Sequence, residues 1–491
     1  MAQFSRRQFL QDTLIATAAA ATAGPALLSH AAEAETPAVG PNEKLGIAMV
    51  GVNGQGNNHI KEYLKRRDVE IVCVCDVDEK VGRNRVEEIA KRQKRKPRYV
   101  KDVREVCDDQ SVDFVSIATP NFWHSLGAIW AIQAGKDVYV EKPVSHNVSE
   151  GRRIVEAARK HGRICQMGAQ CRSMKGTIDA IDYVKSGKIG EVKLARGLCY
   201  KPRRPIGPPG VFDPPAEVDY DLYLGPCAIA PVTRSRFHYD WHWQSPYGNG
   251  DLGNQGIHQM DIARWGLGVD QLSDRVSSYG GRLGKGWTED AGDTANSQVI
   301  VHEFGDKTIV FEVRNLASTR LMDASIGVIF HGSEGYVVLT SYTNGVAMDK
   351  DGNVVKKFHG GQYADHFANF IDAIRSRKHE DLAADILDGH LSSALCHTGN
   401  IAWELGQELP VAEVKTWADA YQGNDDAVDT CKRFAEHLEA NSLDPAQTTV
   451  RLGAGLVFDP VTETFPGNDR ANAMLTREYR EPFVVPSAGE V

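Results

Sequence analysis

LGIAMV (Leu45–Val50) runs straight into GVNGQG (Gly51–Gly56), and on this stretch the fold is decided. A near-unbroken apolar run of this length suits a strand buried on both faces, as in a parallel sheet. Glycines directly behind such a strand allow a tight turn. They also let a phosphate approach the backbone amides at the N-terminus of the next helix. That helix is expected to reach about Arg67.

Outward from this turn the alternation repeats. A second apolar run, Val69–Cys75, ends at Asp76. Helix 79–94, strand 113–118, helix 122–134, strand 137–140, helix 149–161 and strand 163–167 follow by pattern. Strands alternating with helices predict a doubly wound parallel sheet, the Rossmann arrangement of an α/β protein, over residues 45–165. The phosphate-binding pattern G-x-G-x-x-G falls on Gly51, Asn53 and Gly56. Asn53 stands where the middle glycine is usual; asparagine tolerates left-handed backbone better than most residues. Gly54 and Gln55 complete the turn. Asp76, at the end of the second strand, can accept hydrogen bonds from ribose hydroxyls and repels a 2′-phosphate, so NAD is expected rather than NADP. No basic residue adjoins it, although Arg83 or Arg85 can fold back.

The chain has 491 residues, enough for more than one core. Its net charge of −9 argues against a nucleic-acid partner. The basic run Lys91–Lys96 reads as a solvated helix end. The nine cysteines show no paired spacing, so no metal site is expected, and the thiols should stay reduced while the protein folds. At the N-terminus, SRRQFL carries the pair Arg6–Arg7. An alanine-rich stretch over 14–28 and small residues near Ala31 and Ala34 follow. This reads as a twin-arginine signal peptide over 1–34 with a linker over 35–44. The expectation is a periplasmic protein carried folded by the twin-arginine export machinery, with no membrane span after processing.

Three further strings are informative together: TPNFWH (Thr119–His124), EKP (Glu141–Pro143) and GNQGIHQMDIARW (Gly253–Trp265). With the glycine turn they resemble the Gfo/Idh/MocA oxidoreductases over roughly residues 44–410. The resemblance implies a second α/β domain over 166–410, with a large open, mostly antiparallel sheet. The alternating segments 192–200, 297–304, 308–313 and 335–340 agree with it. Helices near 364–378 and 384–404 are expected to close this domain. Residues 411–491 are read as a C-terminal arm packed on the body or on a neighbouring subunit of a homo-oligomer.

The resemblance also implies roles. Thr119, Pro120, Asn121, His124, Glu141 and Gln170 would border the nicotinamide half of the cofactor, and Asn121 can also cap the next helix. Lys142 would contact the reacting hydroxyl, where an ammonium stabilises a developing alkoxide. His258 matches the family's acid/base histidine. Asp261, on the same helix face, can orient the imidazole or bind a substrate hydroxyl. Asn254 stands where inositol-dehydrogenase-like members carry aspartate, so an aspartate–histidine–lysine relay does not transfer intact. Arg172, Trp241, His242 and Tyr247 are expected to bind substrate; the aromatic stretch from Arg236 to Trp243 reads either as a platform for sugar faces or as a packed core. His238 and His242 have a spacing that metals use, but no third ligand lies near them. Three functions follow: a redox enzyme on a carbohydrate with internally recycled NAD, a redox-neutral lyase or glycosidase working by transient oxidation, and a non-catalytic sugar-binding protein. The Lys142–His258 pair argues against the last.

Overall fold

A computed structural model describes residues 44–421, 423 and 427–491. The stretch read as a signal peptide and all of the expected linker but Lys44 lie outside the described residues. The first domain holds six parallel strands: β1 (Leu45–Val50), β2 (Val69–Cys75), β3 (Arg98–Val100), β4 (Phe114–Ile117), β5 (Asp137–Val140) and β6 (Cys165–Met167), in the order β3-β2-β1-β4-β5-β6. The order reverses between β1 and β4, and the crevice at the carboxyl ends there is where such sheets bind ligands. β3 is too short for its periodicity to register in the sequence.

The second domain is built on ten strands. β7 (Val192–Tyr200), β8 (Arg275–Gly281), β9 (Ser297–Phe304), β10 (Lys307–Arg314), β11 (Ile326–Gly332), β12 (Gly335–Leu339), β13 (Asn344–Asp349), β14 (Val354–His359), β15 (Gln407–Pro410) and β16 (Thr449–Val457) are ordered β14-β13-β12-β11-β7-β10-β9-β8-β16-β15. Only the β7–β10 pair is parallel. The period-2 alternation assigns each residue to a face. Ile300, Ile309 and Phe311 pack under the helices Ile257–Leu267 and Ile386–Glu404. Val299, Val301 and Val310 meet the helices Val411–Ala420 and Ala427–Ala440 on the opposite face.

Two features depart from the sequence reading. The helix Tyr363–Ser376 does not close the second domain. It returns to the first sheet, where Phe367 stacks on Tyr139 with ring centroids 5.1 Å apart and Phe370, Ile371 and Ile374 join the same core. The C-terminal segment is more than an arm, because β16 inserts between β8 and β15 as a strand of the large sheet. The chain then returns to the first domain. Glu463 pairs with Arg152, and Phe483 lies against Trp123 and Trp130 at 5.5 and 6.3 Å. No helix among the described residues is long and apolar enough to cross a membrane.

Candidate active site

The glycine turn is shaped by close approach. Gly51 sits at φ +76°, and a Cβ there would lie 2.7 Å from Thr119 N; at Gly56 a Cβ would lie 1.8 Å from Gly51 O. Both positions exclude any side chain. At Gly54 nothing lies within 4 Å, so its missing side chain leaves open space on the cavity side. The helix Gln55–Tyr63 begins here with no side-chain cap, as an anion-binding N-terminus does. Asp76 accepts from Val52 N–H at 2.8 Å and from Asp78 N–H at 2.9 Å, which orients its carboxylate with lone pairs to spare for a ribose. Burial pushes its pKa up, against the pull of these two N–H donors. Arg85 does fold back. Its guanidinium donates to Val52 O at 3.1 Å and pairs with Glu88 at 2.6 Å.

A cavity of about 590 Å³ runs from Asp76 and this turn, past Thr119, Pro120 and Glu141, to Gln170, Asn254 and His258. Near its middle, His124 is buried with Nδ1 2.6 Å from Pro143 O and Nε2 2.9 Å from Thr119 O, tying together the loops after β4 and β5. Burial lowers its pKa. Asn121 does not cap a helix. Its amide donates to Asn249 Oδ1 at 2.5 Å, a link into the second domain. Thr119 Oγ1 and Asn121 Oδ1 are buried without a hydrogen-bond partner. Buried polar atoms are rarely left so, and both residues line the cavity where a carboxamide would be met.

Glu141 Oε1 lies 3.0 Å from His59 Nε2 and accepts from Gln55 at 3.2 Å; His59 Nδ1 meets Ser116 Oγ at 2.9 Å, and Gln55 also donates to Tyr363 OH at 2.6 Å. Burial would raise the Glu141 carboxyl, but the His59 hydrogen bond and the charges of His59 and Lys142 outweigh it and hold the pKa at about 2. His59, Ser116 and Tyr363 were missed in the sequence. Their one signal was His59, three residues beyond Gly56, on the helix face turned to the sheet.

The second domain supplies the other wall. A π-helical turn, Leu252–Gly256, precedes the helix of His258; such turns recur at functional sites. Lys142 Nζ donates to Asn254 O at 2.7 Å. Burial lowers the Lys142 pKa, with Glu141 and Asp251 acting in the opposite sense. His258 is buried, its Nδ1 has no partner, and its ring lies 5.1 Å from that of Tyr342. Burial, aided by the Lys142 charge, brings its pKa down to about 3, so the imidazole is neutral. Trp241 and His242 stack at 3.7 Å and both line the cavity.

Three expected site residues lie elsewhere. Asp261 is turned away from His258. It forms a two-pronged ion pair with Arg172 at 2.8 and 2.9 Å and accepts from Ser392 at 2.7 Å. Arg172 is thereby buried in an ion-pair cluster with Asp261 and Asp388 instead of facing substrate. Charged groups shut away from water need such partners. Tyr247 is core: it packs on Phe122 at 5.7 Å and under the Arg234 guanidinium at 5.0 Å. His238 pairs with Asp78 at 3.3 Å, not with His242 in a metal site. No group of three or more candidate metal ligands occurs among the described residues. The sequence also did not reveal that second-domain residues Val218, Leu222 and Phe237 roof the Asp76 end. Backbone bonds Glu79 N→Glu217 O (3.0 Å) and Asp219 N→Val77 O (2.9 Å) hold them there.

Residues 45–169 match the family model described as "Oxidoreductase family, NAD-binding Rossmann fold", that of Gfo/Idh/MocA. The N-terminal domain is thus similar to that of these NAD-binding oxidoreductases. An alpha-N-acetylgalactosaminidase of Shewanella oneidensis is 28% identical over 206 residues, 39% of this chain and 45% of the relative. The matched stretch thus spans about half the length of such curated relatives. Among solved structures, a levoglucosan dehydrogenase in complex with NADH and levoglucosan has a TM-score of 0.55 at 18% identity, covering 72% of this chain and 95% of that one. The WlbA dehydrogenase of Bordetella pertussis, in complex with NADH and UDP-GlcNAcA, has a TM-score of 0.54 at 17% identity, covering 72% and 94%. These likenesses establish the two-domain fold.

Proposed function

We propose, from a Rossmann domain of the Gfo/Idh/MocA oxidoreductases, that this protein is an NAD-dependent enzyme acting at a carbinol carbon of a sugar, polyol or glycoside. The observation that carries this reading is the convergence of Lys142 and the neutral His258, from different domains, at one end of the cavity that begins at the glycine turn. The cavity fits a dinucleotide: the Gly51 and Gly56 cradle, the uncapped helix start, and the orphaned Thr119 and Asn121 oxygens each match a part of it. The amides of Gly51–Gly56 would hold the pyrophosphate, Asp76 the adenosine ribose, and Thr119–His124, Glu141 and Gln170 the nicotinamide half. Bound NAD supplies a hydride acceptor. Lys142 holds the substrate oxygen and stabilises negative charge developing on it. His258, being neutral, can take the hydroxyl proton. The Trp241–His242 stack offers a flat face to a sugar ring.

A second reading, redox-neutral glycoside cleavage, is favoured by the similarity to the Shewanella alpha-N-acetylgalactosaminidase. It uses the same residues and ends with the hydride back on the product. The Arg6–Arg7 signal, together with nine cysteines that all remain free thiols, supports folding and cofactor loading in the cytoplasm before export to the periplasm. The cofactor would then be held tightly and recycled. The test is to purify the protein without added NAD and incubate it with a panel of sugars and glycosides, following cofactor absorbance and released products together. Repeated turnover without free NAD supports the retained cofactor. Stoichiometric NADH identifies an ordinary dehydrogenase, and aglycone release without net NADH identifies the glycosidase. Binding of a sugar with no conversion of any would leave a sugar-binding protein.

A further inference from the structure

Behind the residues that line the substrate end of the cavity, the charge is uneven. Lys142 reaches the π-helical turn at Asn254 O, and Lys201, the residue after β7, reaches the adjoining residue: Nζ donates to Gln255 Oε1 at 2.7 Å. Arg203, two residues on, completes a group of three cations. The local carboxylates are otherwise engaged. Asp251 is fully buried and takes both prongs of Arg203 at 2.7 and 2.9 Å, Asn315 at 2.7 Å and Asn254 at 3.3 Å. Glu141 lies beside Lys142. Lys201 is left half-buried with a neutral amide as its hydrogen-bonded partner.

A partly desolvated ammonium without a carboxylate is costly unless an anion arrives to pair with it. Lys201 lies close to the reacting groups. Its charge bears on both His258 and Lys142, and its partner Gln255 donates to Tyr342 OH at 2.5 Å, whose ring faces His258. Resting on the carbohydrate reading above, we infer that Lys201 is a specificity residue that selects a substrate bearing an anionic group, the carboxylate of an acidic sugar or a sulfate or phosphate ester. A neutral sugar would leave the surplus charge unpaired, so the selection works by penalty as well as by attraction.

The probes are matched pairs: galactose and galacturonate, glucose and glucuronate, and N-acetylgalactosamine with its 6-sulfate and 6-phosphate. Binding to the NAD-loaded full chain is read by thermal-shift titration, and conversion by product analysis. The acidic member of at least one pair should bind about tenfold more tightly or better. Which pair responds separates carboxylate from ester. Lys201→Met should bring that ratio within about twofold, while Lys201→Arg, which keeps the charge, should retain most of it. Equal binding of acidic and neutral members by the wild-type protein overturns the inference, as does a preference that survives Lys201→Met. If NAD binds but none of the probes binds or is converted, the carbohydrate reading itself fails.

Discussion

His59 Nε2 lies 3.0 Å from Glu141 Oε1, with the imidazole fully buried and the carboxylate side chain 6% exposed. The pair links the helix behind the glycine turn to the strand end that carries Lys142, so the cofactor cradle and the proposed catalytic lysine share one support. His59→Leu strands a buried carboxylate and should cost about 3 kcal/mol in chemical denaturation. Ser116→Ala, which removes only the far end of the chain, should cost about 1 kcal/mol. A loss for His59→Leu no larger than that of Ser116→Ala would show that the carboxylate is satisfied without the histidine.

Lys142→Ala and His258→Ala should each lower turnover about 10²- to 10⁴-fold without loss of fold, because each acts on the transferring proton or its charge. With His258 held at about 3, kcat/KM of the free enzyme should show no acid limb near pH 6.5 from this residue. Turnover of either variant within about threefold of wild type removes that residue from the mechanism.

The turn glycines Gly56 and Gly54 should separate. Gly56→Ala drives a Cβ into Gly51 O and should lower stability and NAD binding together. Gly54→Ala meets no protein atom within 4 Å, so its melting temperature without ligand should stay close to wild type while NAD affinity falls. Equal NAD affinity in Gly54→Ala and wild type would move the pyrophosphate away from this turn.

Dinucleotide released by denaturing the protein should be NAD by mass. Asp76→Ala should narrow discrimination against NADP by about tenfold, as the carboxylate that repels the 2′-phosphate is lost. It should also cost some stability, since Val52 N–H and Asp78 N–H lose their acceptor. Predominant NADP in the wild-type protein would refute the assignment.

Stability should fall as pH drops below about 6.5. Burial holds His302 and His397 at about 3 and His366 at about 4. A histidine whose pKa is lower folded than unfolded binds its proton in the unfolded state first, so its stabilisation is complete above the unfolded pKa and shrinks toward the folded one. Each such group contributes up to about 1.4 kcal/mol per pH unit in that window. Glu141 and Glu463, held at about 2, add to the loss only below about pH 4.5. Urea denaturation of His302→Gln from pH 7 to 5 should show a shallower slope; an unchanged slope would mean that His302 does not titrate on unfolding.

The first domain was legible because a parallel sheet leaves strong marks: unbroken apolar runs, glycines where backbones touch, an acid at a strand end. Residues given by motif, from Gly51 to His258, meet in one cavity because strand ends and helix starts point there by topology. What the motifs did not fix was which neighbouring side chains face the cavity. Asp261 shares a helix face with His258 but lies one turn deeper, where Arg172 claims it, and Tyr247 is an aromatic whose neighbours are all core. His59 and Lys201 could not be assigned from the sequence, since their meaning depends on partners 82 and 54 positions away.

The chain leaves the first domain after β6, comes back to it with the helix Tyr363–Ser376, departs again, and finishes with Phe483 wedged against Trp123 and Trp130 after β16 has been woven into the other sheet. A two-domain enzyme with a single connection can open like the leaves of a book. Here the spine is sewn at several points, so bending would have to shear packed aromatic contacts at each stitch. The two walls of the cavity are therefore kept at a fixed spacing, with Lys142 of one domain bonded to Asn254 O of the other at 2.7 Å.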